Sequence, residues 1–215
     1  MRKDKLDIIY QDKDLIIVNK PSNLLTIATS KEREKTMYHK VMEFEKQKHK
    51  ANKVFVVHRL DKDTSGILMF AKNEKTKTIL QNNWDNLITY RGYIALVEGR
   101  PPKDEDTIRS WLKENKALKT YISIKSKDAK EAITKYKVIK TNGTSSLLDI
   151  EILTGRKNQI RVQMESIGCP IIGDKKYGGQ TNKKMYLCAY KLNLIHPTTK
   201  QNLTFELPIS KEYKI

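Results

Sequence analysis

An aspartate stands among cations in the segment HRLDKDTSG, residues 58–66. Asp61 follows His58 and Arg59 and precedes Lys62. An aspartate is ionised at neutral pH and can act as a nucleophile when it is positioned and partly dehydrated, but its burial requires a nearby cation. A plain turn, in which Asp61 caps the loop and Arg59 pairs with it, explains the spacing equally well. The residues of this segment alone leave both interpretations open.

A metal site is a third use of the same segment, because His58, Asp61 and Asp63 are all ligand types. Such a site would need one or two further acidic or histidine ligands from elsewhere. The remaining histidines belong to no cluster of that kind: His39, His49 and His196. The sequence therefore predicts no metal.

A second polar group follows in TGRKNQIR, residues 154–161. On a helix, Lys157 and Arg161 would lie four residues apart on one face, with Gln159 beside them. A basic patch near a helix N-terminus suits a phosphate or an isolated carboxylate. Simple solvent exposure is the alternative.

Tyr93, in the segment YRGYIALVEG, is a third candidate. A strand tyrosine is usually part of a core, but an aromatic ring beside a basic groove is also what base stacking requires.

The charge of the chain points to a polyanionic partner. Its 42 basic residues against 25 acidic ones give a net charge of +17, which favours nucleic acid first and an anionic membrane surface second. An AT-rich genome that favours lysine is the alternative, and 8 of the basic residues are arginine. In such a chain an arginine indicates a need for a planar, always-charged group. Arg59, Arg156 and Arg161 all lie in the segments described above.

Length and composition predict one cytoplasmic domain. The 215 residues suffice for a single large domain, no apolar run approaches the roughly 20 residues of a membrane span, and MRKDKLDIIYQDKD lacks the apolar centre of a signal peptide. We therefore expect no membrane contact, no obligate protein partner and a monomer. Cys169 and Cys188 match no metal or disulfide pattern and are expected to be small apolar residues.

The apolar pattern predicts the elements that must position these residues. KVFVV and ILMFA, on either side of the aspartate loop, indicate buried strands, and DLIIVNKP, residues 14–21, indicates a strand closed by proline. Thr36 and Asn73 are expected to cap two helices, over residues 36–50 and from Asn73 to about residue 84.

The second half of the chain is predicted to be rich in strands. Residues 113–140 hold nine lysines against three acids in alternating patterns, which is typical of a solvated sheet face or of a face that contacts RNA. Asn142 and Gly143 predict a tight hairpin turn, and a helix is expected around Met164 until Gly168 ends it. The elements together predict an α+β fold with a mixed, mainly antiparallel central sheet and flanking helices.

The segment HRLDKDTSGILMFAKN resembles the signature of the RluA-type pseudouridine synthases, which reads His-Arg-Leu-Asp, two variable residues, then Thr-Ser-Gly. Three more segments resemble family motifs in the right order: DLIIVNKPSNLLT, YIALVEG and LTGRKNQIRVQMESIGCPIIGDKKYG. The resemblance covers essentially the whole chain, and four ordered motifs are far more specific than any one of them.

The resemblance implies a pseudouridine synthase fold, one catalytic domain over residues 1–215, and isomerisation of uridine to pseudouridine in ribosomal or transfer RNA without a cofactor. By matching position, Asp61 is the catalytic aspartate, and Tyr93 stacks on the target base and is a candidate for proton transfer. Arg161 pairs with the aspartate, and Arg59 fills the gap left by a flipped base. The further candidates for RNA or substrate binding are His58, Thr64, Arg156, Lys157, Gln159 and Lys20.

The chain departs from the family pattern at four positions. Asn158, Gln163 and Cys188 stand where the family often has histidine, and we expect these changes to affect RNA contacts rather than the reaction. Asn23 stands where the family has glycine, and asparagine is the next most tolerant residue for a left-handed turn. The N-terminal S4-type RNA-binding module of many relatives is not found, so the catalytic domain is expected to select the target.

Two other classes of function stay open at this point. A protein with this charge could bind or fold RNA without catalysis, and a metal-dependent RNA hydrolase could use the three ligand types of the aspartate loop.

Overall fold

The computed structural model describes residues 6–30 and 32–215. The first five residues of the segment assessed for a signal peptide lie outside this range. The chain forms two compact units, which we describe separately. The first runs to Thr89 and includes Lys191–Leu207, and the second comprises Tyr90–Tyr190 with Pro208–Ile215.

The elements are numbered in chain order. The strands are β1 Ile8–Gln11, β2 Leu15–Lys20, β3 Phe55–Val56, β4 Ser65–Ala71, β5 Ile88–Glu98, β6 Glu105–Glu114, β7 Thr120–Ser123, β8 Lys130–Thr141, β9 Ser145–Ile152, β10 Leu187–Ile195 and β11 Asn202–Glu206. The α-helices are α1 Met37–Lys48, α2 Glu74–Asn82, α3 Trp84–Leu87 and α4 Gln159–Ser166, and a 3-10 turn spans Lys211–Tyr213.

The core of the first unit is built on β2 and β4. The two strands pair antiparallel, with Ile17 opposite Met69, while β1 pairs with β2 and the short β3 pairs with β4. Both strands are apolar on both faces, as their near-continuous hydrophobic runs predict, and Ile17 and Met69 are fully buried. These strands hold the aspartate loop at the point where β4 begins.

Two helices of the first unit begin at the predicted caps. The Thr36 hydroxyl accepts a hydrogen bond from the His39 N–H at 3.0 Å, and the Asn73 side chain accepts one from the Thr76 N–H at 2.9 Å. Both predictions are confirmed, because each cap satisfies an N–H that the first helical turn leaves without a partner. The second predicted helix is interrupted at Asn83, where α2 ends and α3 follows.

The second unit is an antiparallel sheet in which β5, β9, β8, β6 and β7 are successive neighbours. Its core includes Ile150 from β9 and Met164 from α4. The hairpin between β8 and β9 turns at Gly143, whose φ of 87° is left-handed, and the Asn142 N–H donates to the Ser145 carbonyl at 3.1 Å. The hairpin prediction and the α+β class are both confirmed.

Exposed ion pairs occur along the lysine-rich strands. Lys135 pairs with Glu151 at 3.3 Å and Lys113 with Asp128 at 3.5 Å. Pairs of this kind are typical of a solvated sheet face, one of the two alternatives for residues 113–140. Among the described residues, no helix has the length and apolar character of a membrane span.

Candidate active site

The aspartate loop joins β3 to β4. Residues 57–64 lie outside helices and strands, with Asp61 half-buried and Arg59 exposed. The Thr64 N–H donates to the Asp61 carbonyl at 3.2 Å, which closes a tight turn around the two residues between them. The chain therefore presents Asp61 at the start of a turn, directly before the rigid strand β4.

Four consecutive carbonyl groups of this loop, those of residues 60–63, each accept a hydrogen bond. The donors are, in order, Thr26 Oγ1 at 2.8 Å, the Thr64 N–H at 3.2 Å, Lys20 Nζ at 3.0 Å and Ser22 Oγ at 2.7 Å. Three of the four donors are side chains from residues 20–26, the segment KPSNLLT at the end of β2 and beyond it. The side chains of this one segment thus give the loop carbonyls the hydrogen bonds that a neighbouring strand would give them in a sheet.

Lys20 is the charged member of this set. Its side chain is fully buried, and its Nζ also donates to the carbonyls of Pro21 at 3.1 Å and Leu24 at 2.7 Å. Burial lowers the pKa of Lys20 from 10.5 to about 8, against the opposing charges of Asp63 and Asp61. An RNA contact by Lys20 stays a prediction, since the contacts seen here are with the loop.

His58 connects the same loop to β4. Its Nε2 accepts a hydrogen bond from the Met69 N–H at 2.9 Å, and its ring lies 5.4 Å from the Trp84 ring, centroid to centroid. The pairing between β3 and β4 ends at Val56, which lies opposite Phe70. Beyond that point, the imidazole replaces a strand partner for the Met69 N–H of β4. An Nε2 that accepts carries no proton, so this contact requires the neutral ring.

Arg161 lies in the second unit, on α4, and its side chain is 7% exposed. Its Nε and Nη2 donate to the two carboxylate oxygens of Asp174 at 2.6 and 2.7 Å, and its Nη1 donates to Asn158 Oδ1 at 3.0 Å. Its guanidinium also stacks on Tyr177, 5.1 Å from the ring centroid. These bonds use three of the five N–H groups and fix the plane of the guanidinium.

Asp174 was not among the residues selected from the sequence. It is 1% exposed and also accepts from the N–H groups of Lys176 and Tyr177 at 3.0 and 3.2 Å. The signal that could have found it is the need of a buried arginine for a carboxylate, together with the acid in GDKKYG of the same motif.

The prediction that Lys157 and Arg161 share a helix face is wrong. Helix α4 begins at Gln159, and Asn158 has a left-handed φ of 53°, so Lys157 lies in the turn before the helix. Lys157 is exposed and pairs with Glu114, whereas Arg161 is buried. Because the backbone is not helical at Asn158, the side chains of Lys157 and Arg161 do not lie on one helix face.

Gln159 and Arg156 shape the turn that precedes α4. Gln159 Oε1 accepts from the Thr154 hydroxyl at 2.7 Å and from the Arg156 N–H at 3.0 Å. Gln159 Nε2 donates to Thr134 Oγ1 at 2.8 Å, and the exposed Arg156 Nε donates to the Glu131 carbonyl at 2.9 Å. RNA contacts by Gln159 and Arg156 stay predictions.

Tyr93 lies on β5, opposite Ile150 of β9. It is half-buried and packs against the apolar cluster that contains Ile150 and Met164. Tyr93 is thus partly core, and the stacking role implied by the family resemblance stays a prediction.

The departures from the family pattern have structural explanations. Asn23 has a φ of 64°, which confirms that asparagine serves there in a left-handed turn. Asn158 and Gln163 are buried, and Gln163 Nε2 donates to Ser110 Oγ at 2.8 Å. Both side chains bond within the unit, and their effect on RNA contacts stays a prediction. Cys188 is half-buried against an apolar cluster.

The candidate residues are divided between the two units. Those in the first unit are Lys20, His58, Arg59, Asp61 and Thr64, and those in the second are Tyr93, Arg156, Lys157, Gln159 and Arg161. Among the described parts of the chain, no three or more His, Cys, Asp or Glu side chains are grouped as metal ligands would be.

Comparison with known proteins decides the family. A family model described as RNA pseudouridylate synthase matches residues 14–166, which include the aspartate loop, Tyr93 and Arg161. The chain belongs to the RNA pseudouridine synthase family. Enzymes of this family are isomerases of RNA uridine, and the synthase described here carries the motifs of that family in order.

Two curated relatives span nearly all of the synthase. An uncharacterised RNA pseudouridine synthase of Mycoplasma genitalium is 37% identical over 97% of this chain and 68% of its own length. The ribosomal large subunit pseudouridine synthase C of Rickettsia prowazekii is 34% identical over 93% of this chain and 66% of its own length. Among solved structures, human RNA pseudouridylate synthase domain containing 4 has a TM-score of 0.79 at 22% identity, covering 96% of this chain and 90% of that one. The synthase therefore has the pseudouridine synthase fold.

Proposed function

We propose that this synthase isomerises specific uridines of ribosomal or transfer RNA to pseudouridine, with Asp61 as the catalytic residue. The observation that supports this most is the fixed backbone around Asp61: the carbonyls of residues 60–63 are all hydrogen-bonded, three of them to side chains of residues 20–26. A loop held this firmly suits a carboxylate that must meet one atom of a substrate.

The reaction breaks the bond between N1 of the base and C1′ of the ribose, turns the base and joins C5 to C1′. The hydrogen at C5 leaves as a proton and N1 gains one, so the product is an isomer and no redox partner is consumed. In this proposal Asp61 acts on the sugar by one of two routes. It attacks C1′ as N1 leaves and is itself displaced when C5 bonds C1′, or it removes a sugar proton to give a glycal and returns that proton when C5 bonds C1′.

A uridine cannot react in this way within a stacked helix, so the nucleotide must be turned out of it, which costs a few kcal/mol. In the proposal Tyr93 stacks on the extruded base, which contributes about 1 to 3 kcal/mol, and the exposed Arg59 fills the gap that the base leaves. Phosphate contacts with the basic surface contribute further affinity, and we assign some of them to Arg156 and Lys157.

We further propose that Arg161 is the counter-charge of Asp61 when RNA excludes water from the site. Asp174 and Asn158 already hold the guanidinium in one orientation, and arginine keeps its charge at any physiological pH. An oriented cation can keep the catalytic carboxylate ionised in a dry site.

We propose that the chain is one catalytic domain that acts in the cytoplasm as a monomer. The name of the Rickettsia prowazekii relative makes ribosomal RNA of the large subunit the first substrate to test. Mapping pseudouridines across total RNA from a deletion strain, with and without the gene restored, would identify the target.

The test of the chemistry uses two matched variants of the loop. Asp61→Asn keeps the size of the side chain and removes the carboxylate, and we expect it to abolish pseudouridine formation in RNA from the deletion strain while RNA binding persists. Asp63→Asn makes the same change two residues away and is expected to stay active.

Other results would contradict the proposal. Full activity of the Asp61→Asn variant would show that the Asp61 carboxylate is not needed for the reaction. Wild-type protein that binds RNA without forming pseudouridine indicates a non-catalytic RNA-binding protein. Cleavage of the RNA that a chelator prevents would indicate a metal-dependent hydrolase.

A further inference from the structure

The residue directly before Asp61 is held by one buried hydroxyl group. Thr26 Oγ1 donates to the Leu60 carbonyl at 2.8 Å and accepts from the Leu60 N–H at 3.2 Å. Thr26 is 3% exposed and Leu60 is 7% exposed, so water cannot readily replace either bond. In a strand, two backbone groups of a neighbour would satisfy Leu60, and here a single side chain does so.

Thr26 is itself fixed to a helix. The Thr26 carbonyl accepts from the Tyr38 N–H at 3.0 Å, and the Leu25 carbonyl accepts from the Met37 N–H at 2.7 Å. Met37 is the first residue of α1, whose N-cap is Thr36. The hydroxyl that holds Leu60 is therefore attached to the N-terminal end of α1 and not to a mobile segment.

The bond to the Leu60 carbonyl fixes the backbone of Asp61. That carbonyl shares a planar peptide group with the Asp61 N–H and lies in the same plane as the Asp61 Cα. On the other side, the Asp61 carbonyl is fixed by the Thr64 N–H. With both flanking peptide planes held, the direction of the Asp61 side chain depends on its own rotamer alone.

We propose that Thr26 is a positioning residue for Asp61, and that its hydroxyl sets where the carboxylate meets the ribose. The inference rests on the proposed function and adds to it a residue outside the aspartate loop. Catalysis depends steeply on such placement, because a shift of about 1 Å can reduce a rate about a hundredfold.

The test compares three substitutions. Thr26→Val keeps the shape of the side chain but can neither donate nor accept, while Thr26→Ser keeps the hydroxyl. Thr76→Val is the matched control: Thr76 is also a buried threonine of the first unit, 1% exposed, and its hydroxyl donates to Asp14 at 3.2 Å, away from the aspartate loop. Each variant is measured for the single-turnover rate of pseudouridine formation, the Kd for the same RNA and the Tm.

We expect Thr26→Val to lower the single-turnover rate by about ten to a hundredfold while the RNA Kd changes less than about twofold. Thr26→Ser should recover most of the rate. Thr76→Val should lose Tm but keep the rate, which separates positioning from general loss of stability. Hydrogen exchange at the Leu60 amide should be faster in Thr26→Val than in the wild type.

A wild-type rate for Thr26→Val overturns the inference, as does an equal loss of rate in Thr76→Val. If Thr26→Val does not fold, Thr26→Cys takes its place, since a thiol of similar size is only a weak donor and acceptor. A wild-type rate in Thr26→Cys then overturns the inference. Failure of the proposed function has a different signature, because the wild-type protein would itself form no pseudouridine.

Discussion

At Lys20 a single buried ammonium group donates to three backbone carbonyls, those of Pro21, Leu24 and Lys62. A protonated amine has three N–H groups and a neutral one has two, so loss of the proton leaves one of these carbonyls without a donor. Because burial lowers the pKa of Lys20 to about 8, this change falls close to physiological pH.

We expect the single-turnover rate of the wild type to fall as pH rises through about 8, with the slope of one proton. The free energy of unfolding should change in the opposite direction to the rate. Between pH 8 and 10.5 the unfolded chain binds the proton that folded Lys20 has lost, so this group raises the free energy of unfolding with pH. Rates and Tm values measured over the same pH series therefore separate loop distortion from unfolding.

Lys20→Arg is the control for this pH dependence. A guanidinium keeps its charge, so a folded Lys20→Arg variant should lose the alkaline decline. A wild-type rate that stays flat to pH 9.5 would contradict the assignment of this decline to Lys20.

At the scale of elements, α4 is tied to the segment that follows it by the Arg161–Asp174 pair. Both side chains are buried, at 7% and 0% exposure, and the pair is bidentate. Removing one partner of a buried, bidentate ion pair typically destabilises a protein by about 3 to 5 kcal/mol.

Asp174→Asn should therefore lower the free energy of unfolding by about 3 kcal/mol or more and reduce the rate, because the guanidinium of Arg161 loses its fixed plane. Asp104→Asn removes a partner of the exposed Arg100–Asp104 pair, and we expect it to change stability by less than about 1 kcal/mol. Denaturant unfolding of both variants makes the comparison. Equal effects would show that Asp174 is not a structural anchor of Arg161.

The elements that local sequence specifies were predicted well. The caps Thr36 and Asn73 and the hairpin at Gly143 depend on residues within a few positions, so their chemistry is visible in the sequence. Strand β6 was missed because its residues are mostly polar and its pairing with β8 and β7 gives it strand structure without a buried apolar run.

The supports of the site were harder to predict, because they join distant residues. Thr26 and Leu60 are 34 positions apart, and Lys20 and Lys62 are 42 apart. No periodicity marks such pairs, so the loop sequence and the family resemblance selected Asp61 but not Thr26, Ser22 or Asp174. A candidate catalytic residue is therefore easier to recognise from the sequence than the distant residues whose hydrogen bonds fix its position.

At the scale of the whole molecule, the net charge of +17 should govern RNA affinity. Each phosphate contact releases counterions, so the logarithm of the binding constant falls linearly with the logarithm of salt concentration. We expect the Kd to rise at least about tenfold between 50 and 200 mM KCl. Asp61→Asn protein is suited to this measurement because the RNA should remain unmodified during it.

A nearly salt-independent Kd would instead support the compositional explanation of the lysine content. On the lysine-rich strands, pairs such as Lys135–Glu151 and Lys137–Glu105 already neutralise part of the charge. Lys135 and Lys157 each pair with a glutamate, but Lys157 lies in the motif that carries Arg161. Lys157→Ala is therefore expected to change the salt slope more than Lys135→Ala.

The central claim is that Asp61 exchanges the N1 bond of uridine for a bond at C5, and the hydrogen at C5 reports it directly. Target RNA carrying tritium at C5 of uridine should release tritium to water with wild-type protein, in an amount equal to the pseudouridine formed. Asp63→Asn should release it as well, and Asp61→Asn should release none while it still binds the RNA. Release of tritium by Asp61→Asn at the wild-type rate, or none by the wild type on RNA from the deletion strain, would contradict the claim.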